Sequence, residues 1–74
     1  MEHLFKTQLT IDGRSRNYDV FFADDDYHFK PLDGEGPEVL LRREEDEWHP
    51  QSQQDEELTE ACIGLLDTYL LSQH

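Results

Sequence analysis

A single helical pattern runs through residues 53–72, QQDEELTEACIGLLDTYLLS. At about 100° per residue, its apolar side chains form a stripe with a narrow centre and two flanks. The centre comprises Leu58, Cys62, Leu65 and Tyr69, and the flanks are Ala61 and Leu66. Residues 4–48 instead alternate between apolar and polar positions with the period of two that strands require. The change of period predicts an α+β domain in which one C-terminal helix packs on one face of an antiparallel sheet.

Turn signals divide the alternating part of the chain into four strand-like segments. The first segment ends at Asp12-Gly13, a dipeptide typical of a tight hairpin turn. Three adjacent carboxylates interrupt the pattern at residues 24–26, and a loop with two Gly and one Pro follows Pro31. The sequence therefore predicts a single domain over residues 1–74 with a four-stranded β-meander. The predicted elements are strands at about 4–11, 16–23, 27–31 and 38–48 and a helix at about 53–72.

Three aromatic or aliphatic residues do not fit the alternation. Phe21 lies on the polar side of the second predicted strand. Leu41 and Trp48 have opposite parity in the fourth, so a bulge or an early end of that strand is needed to place both in the core. If residues 39–48 are irregular, the sheet has three strands instead of four.

The net charge of the chain restricts its partners. Among 74 residues, 18 are acidic and 6 are basic, which gives a formal net charge of -12. The resulting negative potential opposes direct binding to nucleic acid and to anionic membranes. No apolar run approaches the roughly 20 residues that cross a bilayer, so we expect a soluble protein.

We expect this protein in the cytoplasm. Residues 1–6 lack the basic and long apolar regions of a secretory signal. Cys62 is the one cysteine and can form no disulfide within the chain, which suits a reducing compartment.

No motif in the sequence predicts a metal, a cofactor or an enzyme. The carboxylates at residues 24–26, with Asp33 and Glu35, fail the calcium-loop spacing because Phe29 occupies the position that requires Gly. Zinc-site spacing is also absent from the four histidines, His3, His28, His49 and His74. Cys62 lies on the predicted buried stripe, where a thiol is normally inert. The sequence therefore predicts a protein that is not an enzyme and has no cofactor.

The leading hypothesis is a protein-interaction module whose partner meets an acidic surface that contains exposed aromatic rings. Aromatic side chains are common anchors at protein interfaces. The candidate partner-binding residues are Phe21, Trp48, Asp24, Asp25 and Asp26. An alternative is an acidic mimic of nucleic acid that occupies the basic groove of a nucleic-acid-binding protein, a hypothesis that rests on the charge alone.

A second alternative follows from the width of the helical stripe. Ile63 and Leu70 extend the apolar arc beyond what one small sheet usually needs. The first strand or the chain ends can cover them. Otherwise the chain is a small structural subunit that forms a homodimer, and its candidate dimer contacts are Ile63, Leu66 and Leu70.

Overall fold

The computed structural model describes residues 2–34, 36–51 and 55–73, which fold into a five-stranded antiparallel sheet followed by one helix. The elements are β1 (Glu2–Ile11), β2 (Arg14–Ala23), β3 (Asp26–Pro31), β4 (Val39–Glu44), β5 (Glu47–Pro50) and α1 (Glu56–Ser72). The strands lie in the order β1-β2-β3-β4-β5, so each pairs with its neighbours in sequence. The predicted antiparallel meander with a C-terminal helix is confirmed, whereas the predicted number of four strands is wrong.

Three connections are two-residue turns in which both residues have positive φ, as in a type I′ hairpin turn. They are Asp12-Gly13 (52° and 78°), Asp24-Asp25 (54° and 67°) and Glu45-Asp46 (53° and 65°). Such turns match the right-handed twist of the flanking strands, and Asp enters the left-handed region more easily than most residues. The turn predicted at Asp12-Gly13 is confirmed, and acidic residues occupy the other two.

The predicted fourth strand is in fact two strands, because the chain reverses at Glu45-Asp46. Leu41 pairs with Pro50 and Arg43 pairs with Trp48 in the register of β4 and β5. Directly opposed residues share a face in an antiparallel pair. Leu41 and Trp48 therefore both face α1, and their opposite parity needs no bulge.

The core lies between α1 and one face of the sheet. Its members are Leu9, Tyr18, Val20, Phe29, Val39, Leu41, Leu58, Cys62 and Leu66. Tyr18 is the largest fully buried side chain, and its hydroxyl donates a hydrogen bond of 2.7 Å to the carbonyl of Pro37 in the β3–β4 connection. The ring can thus fill the core while its one polar atom keeps a partner. At the margin, Phe5 of β1 stacks on Tyr69 of α1 with ring centroids 4.9 Å apart.

The buried stripe of α1 is rotated from the predicted one. Its buried residues are Leu58, Thr59, Cys62 and Leu66, whereas Ala61 is exposed. The rotation turns Ile63 toward the sheet, where it packs partly buried against the core. Asp55 caps the helix, since its side chain accepts a hydrogen bond of 3.2 Å from the Glu57 N–H. The predicted start at residue 53 lies outside the described residues.

Candidate functional site

Carboxylates gather at the end of the sheet that holds the β2–β3 and β4–β5 turns. The register places Asp26 opposite Arg42, so both turns project from the same end. We call this end the acidic rim, and it comprises the exposed residues Asp24, Asp25, Glu44, Glu45, Asp46 and Glu47. Two of the predicted partner-binding carboxylates, Asp24 and Asp25, belong to it.

The third predicted carboxylate, Asp26, is engaged within the chain. Its Oδ1 accepts a hydrogen bond of 2.9 Å from Arg42 Nε, and its Oδ2 accepts one of 3.4 Å from Arg42 Nη2. The hydrogen bond to Asp26 and the charge of that carboxylate raise the pKa of the Arg42 guanidinium. A bidentate arginine–carboxylate pair of this kind fixes the orientation of both side chains. Asp26 therefore joins β3 to β4 and is less available to a partner than its exposed neighbours.

The sheet face opposite α1 is not covered by any described element, and we call it the open face. A shift of register between His3 and Phe5 brings His3 and Lys6 of β1 onto it. One row of opposed residues crosses this face, namely His3, Phe21, His28 and Leu40. His3 meets the Phe21 ring edge-on with centroids 5.2 Å apart, and Lys30 Nζ lies 5.9 Å from the same ring centroid. The open face thus presents a partly exposed aromatic ring between two basic side chains.

Cations and carboxylates nearly balance on the open face. Lys6 and Lys30 lie on either side of Asp19 in adjacent strands, and Arg42 pairs with Asp26. Further carboxylates of this parity belong to the acidic rim. The balance contrasts with the net charge of -12 on the whole chain. The total charge of the chain does not reveal this local balance. The alternation of residues in β1, β2 and β3 does contain it, because it decides which charged side chains share the open face.

Trp48 lies on the other side of the sheet, where it helps to hold α1. Its Nε1–H donates a hydrogen bond of 3.0 Å to Asp67 Oδ1, and its ring contacts that of Tyr27 at a centroid distance of 5.4 Å. Arg43 lies over the Trp48 ring at 4.9 Å and reaches the same Asp67 oxygen at 3.4 Å. The structure therefore does not bring Trp48 and Phe21 together. Trp48 links β5 to α1, and Phe21 lies on the open face.

The exposed side of α1 carries charge of one sign. We call it the helix outer face; its charged residues are Glu56, Glu57, Glu60 and Asp67. No Lys or Arg occurs in residues 55–73. Within the described residues, Asp67 is the one member of this set that makes an ion pair, and its partner is Arg43. No helix in the described part of the chain has the length and apolarity that a membrane crossing requires.

The three predicted dimer contacts differ in what they can offer a second copy. Leu66 is 0% exposed and belongs to the core, so its side chain offers no surface to a second copy. Ile63 is partly buried against the core. Leu70 borders a shallow groove of about 320 Å³ with Arg43, Asp67 and Leu71. The stripe that suggested a dimer is therefore mostly occupied by the sheet of the same chain.

Groups with catalytic or metal-binding chemistry are buried or dispersed. Burial raises the pKa of the Cys62 thiol to about 12, so this thiol is protonated and unreactive at neutral pH. Burial also raises the pKa of the Tyr18 hydroxyl. Across residues 2–34, 36–51 and 55–73, no three His, Cys, Asp or Glu side chains are grouped to hold a metal ion. Glu35 and His74, considered above as ligands, lie outside those ranges.

Comparison of the chain with protein-family profiles, with curated proteins and with solved structures finds no match in any of the three. Three surfaces therefore provide the basis for a functional argument. The acidic rim and the helix outer face concentrate negative charge, and the open face is nearly balanced and holds the partly exposed ring of Phe21.

Proposed function

We propose that this protein is a non-enzymatic protein-interaction module that presents an acidic surface to a basic protein partner. The observation that supports the proposal best is the helix outer face, where exposed carboxylates occur without any Lys or Arg on the same helix. Arg43 pairs with Asp67 of that face at 3.4 Å and with Asp46 of the acidic rim at 3.8 Å. The two acidic surfaces therefore adjoin and can act as one.

Folding does not require the charge of α1 to be one-sided. A surface helix gains stability when Glu is followed by Lys four residues later, and neighbouring carboxylates repel one another. Glu56 and Glu60 are separated by four residues and carry the same charge. Glu56 and Glu57 lie in the first turn, however, where the positive end of the helix dipole favours carboxylates. The last turn has no Lys or Arg, although the dipole favours cations there, and a role in binding explains this better than a role in stability. The resulting one-sided charge strengthens the field that attracts and orients a basic surface.

Two variants with equal changes of charge test the proposal. The helix variant replaces Glu56, Glu57 and Glu60 with Gln. The rim variant replaces Asp24, Asp25 and Asp46 with Asn, which tolerates the positive φ of these turns. The immobilised wild type should retain a basic protein from a lysate of its source cells at low salt. It should release that protein above about 0.15 M salt, where exposed charges are screened within about 8 Å.

Both variants should retain less of that protein, and the helix variant should retain the least. Circular dichroism should show that each variant keeps the wild-type fold, because the substituted side chains are exposed. Each variant also serves as the control for the other, since net charge changes equally. Undiminished retention by both folded variants would exclude the acidic surface as the binding surface.

A nucleic-acid mimic is a narrower form of this proposal, and the one-sided charge of the helix outer face favours it. A mimic occupies the groove in which its partner binds nucleic acid, so excess duplex DNA should displace it. The logarithm of its affinity should also fall linearly with the logarithm of salt concentration. If the partner remains bound in excess DNA, the mimic is excluded while the general module stands.

We propose the cytoplasm as the compartment of the protein. Cys62 is a buried free thiol and the chain's one cysteine, a state that a reducing compartment maintains. Fractionation of source cells with an antibody against the protein tests this, and recovery in a secreted or membrane fraction would contradict it.

A further inference from the structure

The open face is the surface on which two copies of this chain can meet with the least electrostatic repulsion. Each copy carries a net charge of -12, so contact through the helix outer face or the acidic rim sets carboxylates against carboxylates. Charges at contact distance lie well within the Debye length of about 8 Å, so salt does not screen this repulsion fully. On the open face, Lys6, Lys30 and Arg42 offset Asp19 and Asp26.

We infer that this protein forms a homodimer in which two open faces pack against each other about a two-fold axis. A closed symmetric dimer requires one self-complementary surface. We place the two-fold axis along the row of opposed residues that crosses the open face, which comprises His3, Phe21, His28 and Leu40. With the axis along this row, the Phe21 rings of the two copies meet, and so do the Leu40 side chains. His28 lies on the middle strand and meets His28 of the other copy, so an imidazole pair forms the centre, with the Phe21 and Leu40 contacts on either side of it.

Charge complementarity supports the same axis. Lys30 and Asp26 both lie on β3, two residues to either side of His28. A two-fold rotation about the row therefore places Lys30 of one copy opposite Asp26 of the other, which also keeps its pair with Arg42 of its own chain. Glu44 and Glu47 lie at the tip of the β4–β5 hairpin, away from the row, so they stay at the edge of the interface.

The available area suits a weak dimer. Strands are spaced by about 4.8 Å and a six-residue strand is about 20 Å long, so five strands offer roughly 500 Å² per copy. Two copies then bury roughly 1,000 Å², which is at the lower end for specific interfaces. Interfaces of this size are typical of weak, transient complexes, so we expect mostly monomer at about 1 μM and mostly dimer at about 1 mM.

Analytical ultracentrifugation of the full chain from about 1 μM to about 1 mM tests the inference. The wild type should shift from its chain mass of 8.8 kDa to twice that mass. Phe21→Asp should remain monomeric, because it removes an aromatic ring from the proposed axis and adds a carboxylate to the interface. Leu71→Asp is the matched control: it adds the same charge at a side chain that is 75% exposed on α1, and it should dimerise like the wild type.

Disulfide trapping provides a second measurement that does not depend on the stability of Phe21→Asp. His28→Cys places a thiol near the proposed axis, and native Cys62 is buried and does not compete. Mild oxidation should link His28→Cys into a covalent dimer much faster than Leu71→Cys. A wild type that is monomeric at about 1 mM overturns the inference and leaves the open face to a different protein. Dimers that Leu71→Asp disrupts and Phe21→Asp does not would also overturn it, and would assign the contact to α1.

Discussion

Replacing Leu66 with Ala tests whether the apolar side of α1 is buried in the core of its own chain. Leu66 is 0% exposed and lies in one cluster with Tyr18, Phe29 and Leu41. Leu→Ala at such a site loses the transfer free energy of the deleted groups and leaves a cavity, at a cost of about 2 to 5 kcal/mol. A core covered by a single helix can relax from one side. We therefore expect a loss of about 3 kcal/mol in the free energy of unfolding.

This loss is large for a domain of this size. A chain of 74 residues has a free energy of unfolding of about 4 to 11 kcal/mol. The expected loss should lower Tm by more than about 10 °C. Urea unfolding can be followed by circular dichroism and by the fluorescence of Trp48, the one tryptophan in the chain. If Leu66→Ala does not fold, Leu66→Val should still do so with a loss of about 1 kcal/mol.

Leu71→Ala is the matched control, since it makes the same chemical change on the same helix at a residue that is 75% exposed. Its effect should stay within about 0.5 kcal/mol. The reasoning is refuted if Leu66→Ala costs less than about 1 kcal/mol. It is also refuted if the loss depends on protein concentration because a second copy, rather than the sheet, covers Leu66.

Three further predictions each concern one residue. Asp67→Ala removes the acceptor of Trp48 Nε1–H and the ion-pair partner of Arg43, so it should cost about 1 kcal/mol and shift the Trp48 emission to longer wavelength; unchanged emission would contradict this. Asp25→Gly removes the strain of a non-glycine residue at a φ of 67° and should raise the free energy of unfolding by about 0.5 to 1 kcal/mol. A lower free energy of unfolding, measured by urea denaturation, would count against the turn assignment. Burial raises the pKa of Cys62 from 9.0 to about 12, so the folded state holds this proton more tightly. Below pH 9 the thiol is protonated in both the folded and the unfolded state, so the free energy of unfolding keeps its full value. Between pH 9 and 12 only the folded state holds the proton, and the free energy of unfolding should fall by about 1.4 kcal/mol per pH unit. Cys62→Ala should lose stability less steeply over the same range, and equal slopes would contradict the assigned cause.

Local patterns in the sequence predict most of the sheet because they depend on neighbouring residues. Asp12-Gly13 marks its turn since the pair adopts positive φ at low cost. The parity of Phe21 correctly places it on the face away from the core, opposite His28 in β3. Alternation of period two identifies the core residues of β2 in the same way, and Tyr18 and Val20 are fully buried.

The missed features depend on interactions that sequence spacing does not contain. Glu45-Asp46 reads as part of a solvated charged run, and only pairing of Arg43 with Trp48 identifies it as a hairpin turn. The rotation of α1 depends on which side of the helix the twisted sheet meets, and this selects Thr59 instead of Ala61 for burial. The open face arises from register across strands, so a count of charges along the chain could not reveal it.

The order of the strands also affects how the chain folds. Each strand pairs only with neighbours in sequence, and two-residue turns make three of the connections. Hairpins of this kind form within about 1 to 10 μs because little loop-closure entropy opposes them. α1 follows the whole sheet in the chain but packs against β1, the first strand. During synthesis all five strands are therefore made before α1, and the apolar face of any sheet that they form stays exposed to aggregation until α1 has been made and has docked.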